Sequence, residues 1–101
     1  MQITTASFDA DFRVILQNRR AQAAVMVLDA GDTEGGPDNR HSDSDQWLFV
    51  VSGRGRAIVE GKEHPLAPGT LLLIERAEAH EIRAGEEEKL ETLNLYVPPE
   101  Y

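Results

Sequence analysis

The chain contains no cysteine. Disulfides, thiolate metal ligands and cysteine nucleophiles are therefore excluded. Basic residues are also scarce: ten Lys and Arg stand against eighteen Asp and Glu, giving a formal charge of −8. Nucleic acids and anionic membrane surfaces are bound through basic patches. Here the paired bases, in NRR at 18–20 and GRGR at 53–56, read as turn or strand-edge residues, with Arg54 and Arg56 facing solvent. Neither kind of partner is expected. Long apolar runs are missing too. The longest spans Ala23–Leu28, far short of the ~20 residues a membrane helix needs. The opening MQITTASFDADF has neither a basic segment nor an apolar one, so no secretory signal is expected. These absences point to a soluble, cytoplasmic protein, and 101 residues suit a single domain over residues 1–101.

What is present is short segments rich in β-branched and large apolar residues, separated by Gly, Pro and Asp clusters. That pattern predicts an all-β domain, with strands near 12–16, 21–29, 46–52, 55–60, 70–74, 80–83 and 92–97. GDTEGGPDN, SGRG and RAGEEE read as loops, EGKEHPLAPG as a tight hairpin at Gly61-Lys62 followed by a Pro68-Gly69 turn. WLFVV and LLLI are apolar at every position, so each strand is expected to be covered on both faces, one by the core and the other by a second sheet, a terminal segment or another subunit. No stretch carries a helical stripe of consequence. AEAHEIRAGEEEKLE has helix-forming composition but is interrupted by Gly85.

The chemistry-bearing residues are few. Three histidines occur, His41, His64 and His80. His64, in KEHPL, has no local partner and reads as an exposed strand-edge residue. His41 precedes WLFVV and His80 follows LLLI, so both can be brought to one mouth of a β structure, where small-molecule sites form. Two unrelated surface histidines would share the same spacing. Serines 42, 44 and 52 lack the strand–turn–helix context of a nucleophile elbow, and GRGR lacks that of a phosphate loop.

At NRHSDSDQWLFVVSG the chain resembles the cupin family. The first motif of that family is matched with Asn39 at the first histidine position, His41 at the second, Gln46 at the glutamate and Gly53 at the glycine. The spacings of four residues after His41 and six after Gln46 agree. The second motif resembles GKEHPLAPGTLLLIERAEAHEIR, with Gly61, Pro68-Gly69, Leu71–Ile74 and His80 at the family's positions. Glu75 and Ala77 replace its usual proline and glycine, and Ala84 its asparagine. The two motifs cover residues 35–84.

The resemblance implies a small single-domain cupin: an all-β jelly-roll β-barrel of two antiparallel sheets around a central pocket, commonly a homodimer. In the family the four motif positions bind a divalent transition metal. Here the implied set is Asn39, His41, Gln46 and His80, two imidazoles and two neutral amides that suit Zn, Fe, Ni, Mn or Cu to differing degrees. The lost carboxylate weakens such a site, and Asp43 or Asp45 are candidates to restore its charge. Three readings follow: a metal-dependent enzyme acting on a small organic molecule, of oxygenase or isomerase/hydrolase type; a metal-free small-ligand module, whose Asn and Gln read ligand donors and acceptors; and a metal-independent enzyme with His41 or His80 as acid/base.

Overall fold

The computed structural model describes residues 1–36 and 43–101. Among these residues there are nine strands: β1 (Phe12–Gln17), β2 (Gln22–Leu28), β3 (Thr33–Gly35), β4 (Asp45–Ser52), β5 (Gly55–Val59), β6 (Lys62–Leu66), β7 (Leu71–Ile74), β8 (His80–Ala84) and β9 (Leu90–Val97). No helix occurs among the described residues, and none is long and apolar enough to cross a membrane. Every strand pairing is antiparallel. One sheet runs β1-β2-β9-β4-β7 and the other β3-β8-β5-β6. The two antiparallel sheets face each other as the expected jelly roll, without a continuous hydrogen-bonded closure between them.

Alternation along the strands decides which residues meet between the sheets. On β4, Gln46, Leu48 and Val50 are buried while Trp47, Phe49 and Val51 are exposed. The inward set joins Met26, Leu28, Ala57, Leu66, Ile74, Ile82, Ala84 and Leu90 in one core drawn from both sheets. Among the described residues nothing closes over the outward set. Trp47 pairs with Leu73 and Leu95, and Phe49 with Leu71 and Leu93, so the large sheet carries a continuous apolar outer face whose Trp47, Phe49, Leu73 and Leu95 are each about 40 % exposed. Of the covers expected for WLFVV and LLLI, neither the second sheet nor a terminal segment closes over these side chains.

Two strands, β3 and β6, lie where loops were expected. Both are edge strands; β3 is short and polar, and β6 contains Pro65, which is tolerated only at an edge or a bulge. His64 is exposed on β6, and Arg54 and Arg56 are exposed on either side of Gly55, as the sequence suggests. The β5–β6 hairpin turns on Glu60-Gly61 rather than Gly61-Lys62. Both residues have positive φ (48° and 79°), with Val59 paired to Lys62, the geometry that matches strand twist in two-residue hairpins. Pro68-Gly69 forms the expected turn, closed by Thr70 N–H donating to the Ala67 carbonyl at 2.9 Å. Gly53 has a firmer requirement. Its φ is +86°, and a Cβ there would sit 1.9 Å from the Lys89 carbonyl oxygen.

Candidate functional site

A cavity of about 350 Å³ opens between the sheets. Its lining comes from β2 (Met26, Val27, Leu28), β4 (Gln46), β8 (His80, Ile82) and β9 (Tyr96), with Phe12 and Tyr101 at one side. Two of the four residues singled out from the motif spacing, Gln46 and His80, therefore line one cavity from opposite sheets. The other two, Asn39 and His41, lie outside the described residues.

His80 is 4 % exposed and opens β8. Gly36 N–H donates to its carbonyl at 3.2 Å, and Glu60 N–H to the carbonyl of the preceding residue, Ala79, at 2.8 Å. Its Nδ1 lies 3.2 Å from the Glu78 carbonyl oxygen. A carbonyl can only accept, so Nδ1 carries the hydrogen and, in the neutral ring, Nε2 presents a lone pair. The preceding turn, Glu75–Glu78, is closed by Glu78 N–H donating to the Glu75 carbonyl at 3.0 Å, and Ala77 sits in it at φ 68°. That is the left-handed region, disfavoured for a residue with a Cβ, and it falls at the position where the cupin pattern has glycine.

Gln46 is 3 % exposed, and its amide is oriented by a buried chain of hydrogen bonds. The Met26 carbonyl can only accept, so Thr92 Oγ1 donates to it at 3.2 Å. The Thr92 oxygen then accepts from Asn94 Nδ2 at 2.9 Å. Asn94 Oδ1 in turn accepts from Gln46 Nε2 at 2.9 Å. Each link fixes the sense of the next. The chain thus fixes which end of the Gln46 amide is the nitrogen and which the oxygen. Thr92 and Asn94 were not singled out from sequence, though the signal was there: in LETLNLYV the inward positions carry Thr92 and Asn94 while Leu93 and Leu95 point outward, the reverse of an ordinary strand.

Tyr96, also on β9, is 2 % exposed. Burial, with the Tyr101 hydroxyl close by, pushes its ionisation far above the ordinary tyrosine value. Tyr101 is raised as well, chiefly by partial burial of its hydroxyl, while its hydrogen bond with Tyr96 works the other way. Neither phenol is a base at neutral pH. The tail reaches the cavity because Gln22 clamps it: Gln22 Nε2 donates to the main-chain oxygen of Tyr101 at 2.6 Å, and Gln22 Oε1 accepts from the backbone N–H of Glu100 (3.2 Å) and Tyr101 (3.0 Å). Phe12 and Tyr96 pack on the Tyr101 ring with centroids 4.8 and 5.1 Å away.

The loop aspartates do not supply the anion considered above. Asp45 lies one residue before the inward Gln46 and so points outward. Its carboxylate accepts from the Arg76 backbone N–H at 2.9 Å and pairs with the Arg76 guanidinium at 3.5 Å. Asp43 is exposed and does not line the cavity. Among the described residues no three His, Asp or Glu side chains converge as metal ligands. The donors that are in place, the imidazole Nε2 of His80 and the amide oxygen of Gln46, are of the kind that divalent transition ions accept.

Residues 24–96 match the sequence model of the Cupin domain. The chain belongs to the cupin family. A curated relative, the L-ectoine synthase of Teredinibacter turnerae, is 35 % identical over 54 residues, which is 52 % of this chain and 39 % of that protein. The cupin therefore spans well under half of that relative's length. Among solved structures, KdgF from Halomonas sp. superposes with a TM-score of 0.79 at 24 % identity, covering 87 % of this chain and 77 % of that one. A cupin protein from Bacteroides fragilis superposes with a TM-score of 0.80 at 23 % identity, covering 96 % and 83 %. At these identities the structural likenesses establish the fold alone. The cupin assignment supports a role on small molecules and leaves the reaction to the site.

Proposed function

We propose that this cupin acts on a small organic molecule taken into the cavity between its sheets, with a divalent transition metal at the cavity floor held by His80 and Gln46, and with His41 and Asn39 from the first motif completing the ligand set. The observation that supports this most is the convergence of His80 and Gln46, two residues at the family's ligand positions, from opposite sheets on one cavity. A bound ion would supply Lewis-acid polarisation of a ligand oxygen or, if redox-active, oxygen chemistry. The protein's own contribution is to hold the ligand in a pocket walled by Met26, Leu28 and Ile82 and to keep the Tyr96 and Tyr101 hydroxyls protonated as donors. The partial likeness to an enzyme that makes L-ectoine supports an enzymatic role on a small organic compound.

A second reading, a metal-free binding module, is favoured by the same amide chain, since Gln46 is built into a hydrogen-bonded core in the way of a ligand-reading residue. Elemental analysis of the untagged protein separates the two. The metal reading expects close to one ion per chain, lost in both His41→Ala and His80→Ala with the fold intact. Trace metal that neither substitution changes leaves the binding module.

We also propose that the cupin is a homodimer joined through the outer face of the large sheet. A face carrying Trp47, Phe49, Leu71, Leu73 and Leu95 in cross-strand contact is the kind of contiguous apolar patch that marks an interface, and a second copy supplies the cover that the sequence pattern of WLFVV and LLLI demands. Light scattering coupled to size exclusion is expected to give twice the chain mass, falling to one chain mass in Trp47→Glu. A wild-type monomer would refute the proposal.

A further inference from the structure

The cavity is reached between two strand edges. β1 ends the large sheet and β3 the small one, and both supply lining, Phe12 at the start of β1 and Thr33 and Glu34 on β3. Among the described residues no main-chain pairing joins these edges. The ring of Tyr101 stands there. It lines the cavity while the residue is 61 % exposed, so it lies on the boundary between cavity and solvent. Strand register shows how far it reaches. Phe12 pairs with Met26, whereas Tyr96 pairs with Gln22 on one side and Gln46 on the other. Along β2 those two rows are about 13 Å apart, at ~3.3 Å per residue. The Tyr101 ring bridges them, with its centroid 4.8 Å from that of Phe12 and 5.1 Å from that of Tyr96. One contact is tilted at 58° and the other edge-on at 79°, arrangements that aromatic pairs favour. The three rings thus make one wall.

Residues 98–101 lie beyond the end of β9, and side chains from elsewhere in the large sheet hold them. Gln22, 1 % exposed, gives both ends of its amide to the main chain of Glu100 and Tyr101. Ser44, equally buried, places its Oγ 2.7 Å from the Pro98 carbonyl oxygen and 3.1 Å from a Glu100 carboxylate oxygen, two acceptors for its one hydrogen. Neither Gln22 nor Ser44 lines the cavity. Both are committed to fixing the segment that carries the ring. We infer that Tyr101 determines the size of molecule the cavity accepts, its ring occupying the place that one further ring of a ligand would need, with Gln22 and Ser44 as positioning residues. This inference rests on the reading of the cavity as a small-molecule site and adds the residue that sets its limit.

The test uses two uncharged probes that differ by one ring, benzyl alcohol and 4-phenylbenzyl alcohol, titrated into 15N-labelled protein. Backbone signals of Val27, Leu28, His80 and Ile82 report the cavity. In the wild type, benzyl alcohol is expected to shift them at the lower concentration. Tyr101→Ala removes about as much as the second probe adds, so the preference should reverse, with the ratio of the two midpoints changing at least about tenfold. Tyr101→Phe should behave as the wild type, and Tyr101→Leu should fall between, a graded series that loss of fold would not produce. Gln22→Ala should reproduce the reversal although Gln22 does not line the cavity, and adding it to Tyr101→Ala should change nothing further. A wild type that takes the larger probe as readily as the smaller, or a preference that Tyr101→Ala leaves unchanged, overturns the inference and leaves the cavity a small-molecule site. A reversal in Tyr101→Ala without one in Gln22→Ala overturns the positioning role. Cavity signals that respond to neither probe in any of these proteins overturn both the inference and the reading it rests on.

Discussion

Asn94 is fully buried and joins Gln46 to Thr92, so replacing it with leucine, close in size and without polar atoms, tests whether the amide chain is the structural element argued for it. The substitution removes two hydrogen bonds, each contributing ~1 kcal/mol net. It also turns the buried Gln46 Nε2 toward a hydrocarbon, at a further cost of about 1–3 kcal/mol for a stranded donor. Extra apolar burial by leucine returns ~1 kcal/mol. The balance is a loss of about 3 kcal/mol, which for a domain of this length lowers the unfolding midpoint by roughly 12–24 °C. Gln46→Leu removes the other partner. If the two side chains form one unit, the double variant Gln46→Leu, Asn94→Leu recovers about 1–2 kcal/mol relative to the sum of the singles, because no donor is left facing an apolar neighbour. Urea unfolding of the four proteins supplies the cycle. Additivity within about 0.5 kcal/mol would refute the coupled chain, and with it the fixed orientation of the Gln46 amide.

Other consequences follow from single residues. Tyr96 has its ionisation raised by burial, so its contribution is whole below about pH 10, the ordinary tyrosine value. Above that the unfolded chain releases the proton and the folded one does not, and stability falls by up to about 1.4 kcal/mol per pH unit. Spectrophotometric titration near 295 nm should show one tyrosine ionising only as the chain unfolds; two tyrosines titrating reversibly in the folded protein would contradict this. Gly53 and Gly61 share a left-handed φ, but only at Gly53 would a Cβ strike backbone. Gly61→Ala should therefore cost ~1 kcal/mol and Gly53→Ala at least ~3 kcal/mol, and equal costs in denaturant unfolding would remove the packing argument. Ala77, held at φ 68° just before His80, should accept glycine with a gain of about 0.5–1 kcal/mol; a measured loss would show that the turn is not strained.

Much of this was legible in the residues themselves. The all-β class, seven of the strands and the positions of Gln46 and His80 follow from alternation, turn chemistry and motif spacing, because each of these is a local property. The outward turn of Asp45 was equally open to reading, since a residue adjacent to an inward Gln46 must face the other way. What could not be read locally depends on distant partners. Tyr101 reaches the cavity only because Gln22, 79 residues earlier, clamps the backbone of the tail. The four carboxylates at the cavity rim, Asp11, Asp29, Asp32 and Glu34, come together only once the start of β1, the β2–β3 turn and β3 take their places. The edge strands β3 and β6 escaped notice because pairing to β8 and β5, not intrinsic propensity, makes them strands.

The central claim is that Gln46 and His80, from two different sheets, serve one ion-binding cavity floor. Titration of the labelled protein with Mn2+ tests this most directly, since a paramagnetic ion broadens the signals nearest to it. The account predicts that the Gln46 side-chain amide and the His80 ring broaden first and together, and that His80→Ala abolishes the effect at Gln46. Broadening that begins at the exposed Glu86–Glu88 loop or at the rim carboxylates, with Gln46 and His80 still sharp, would contradict it.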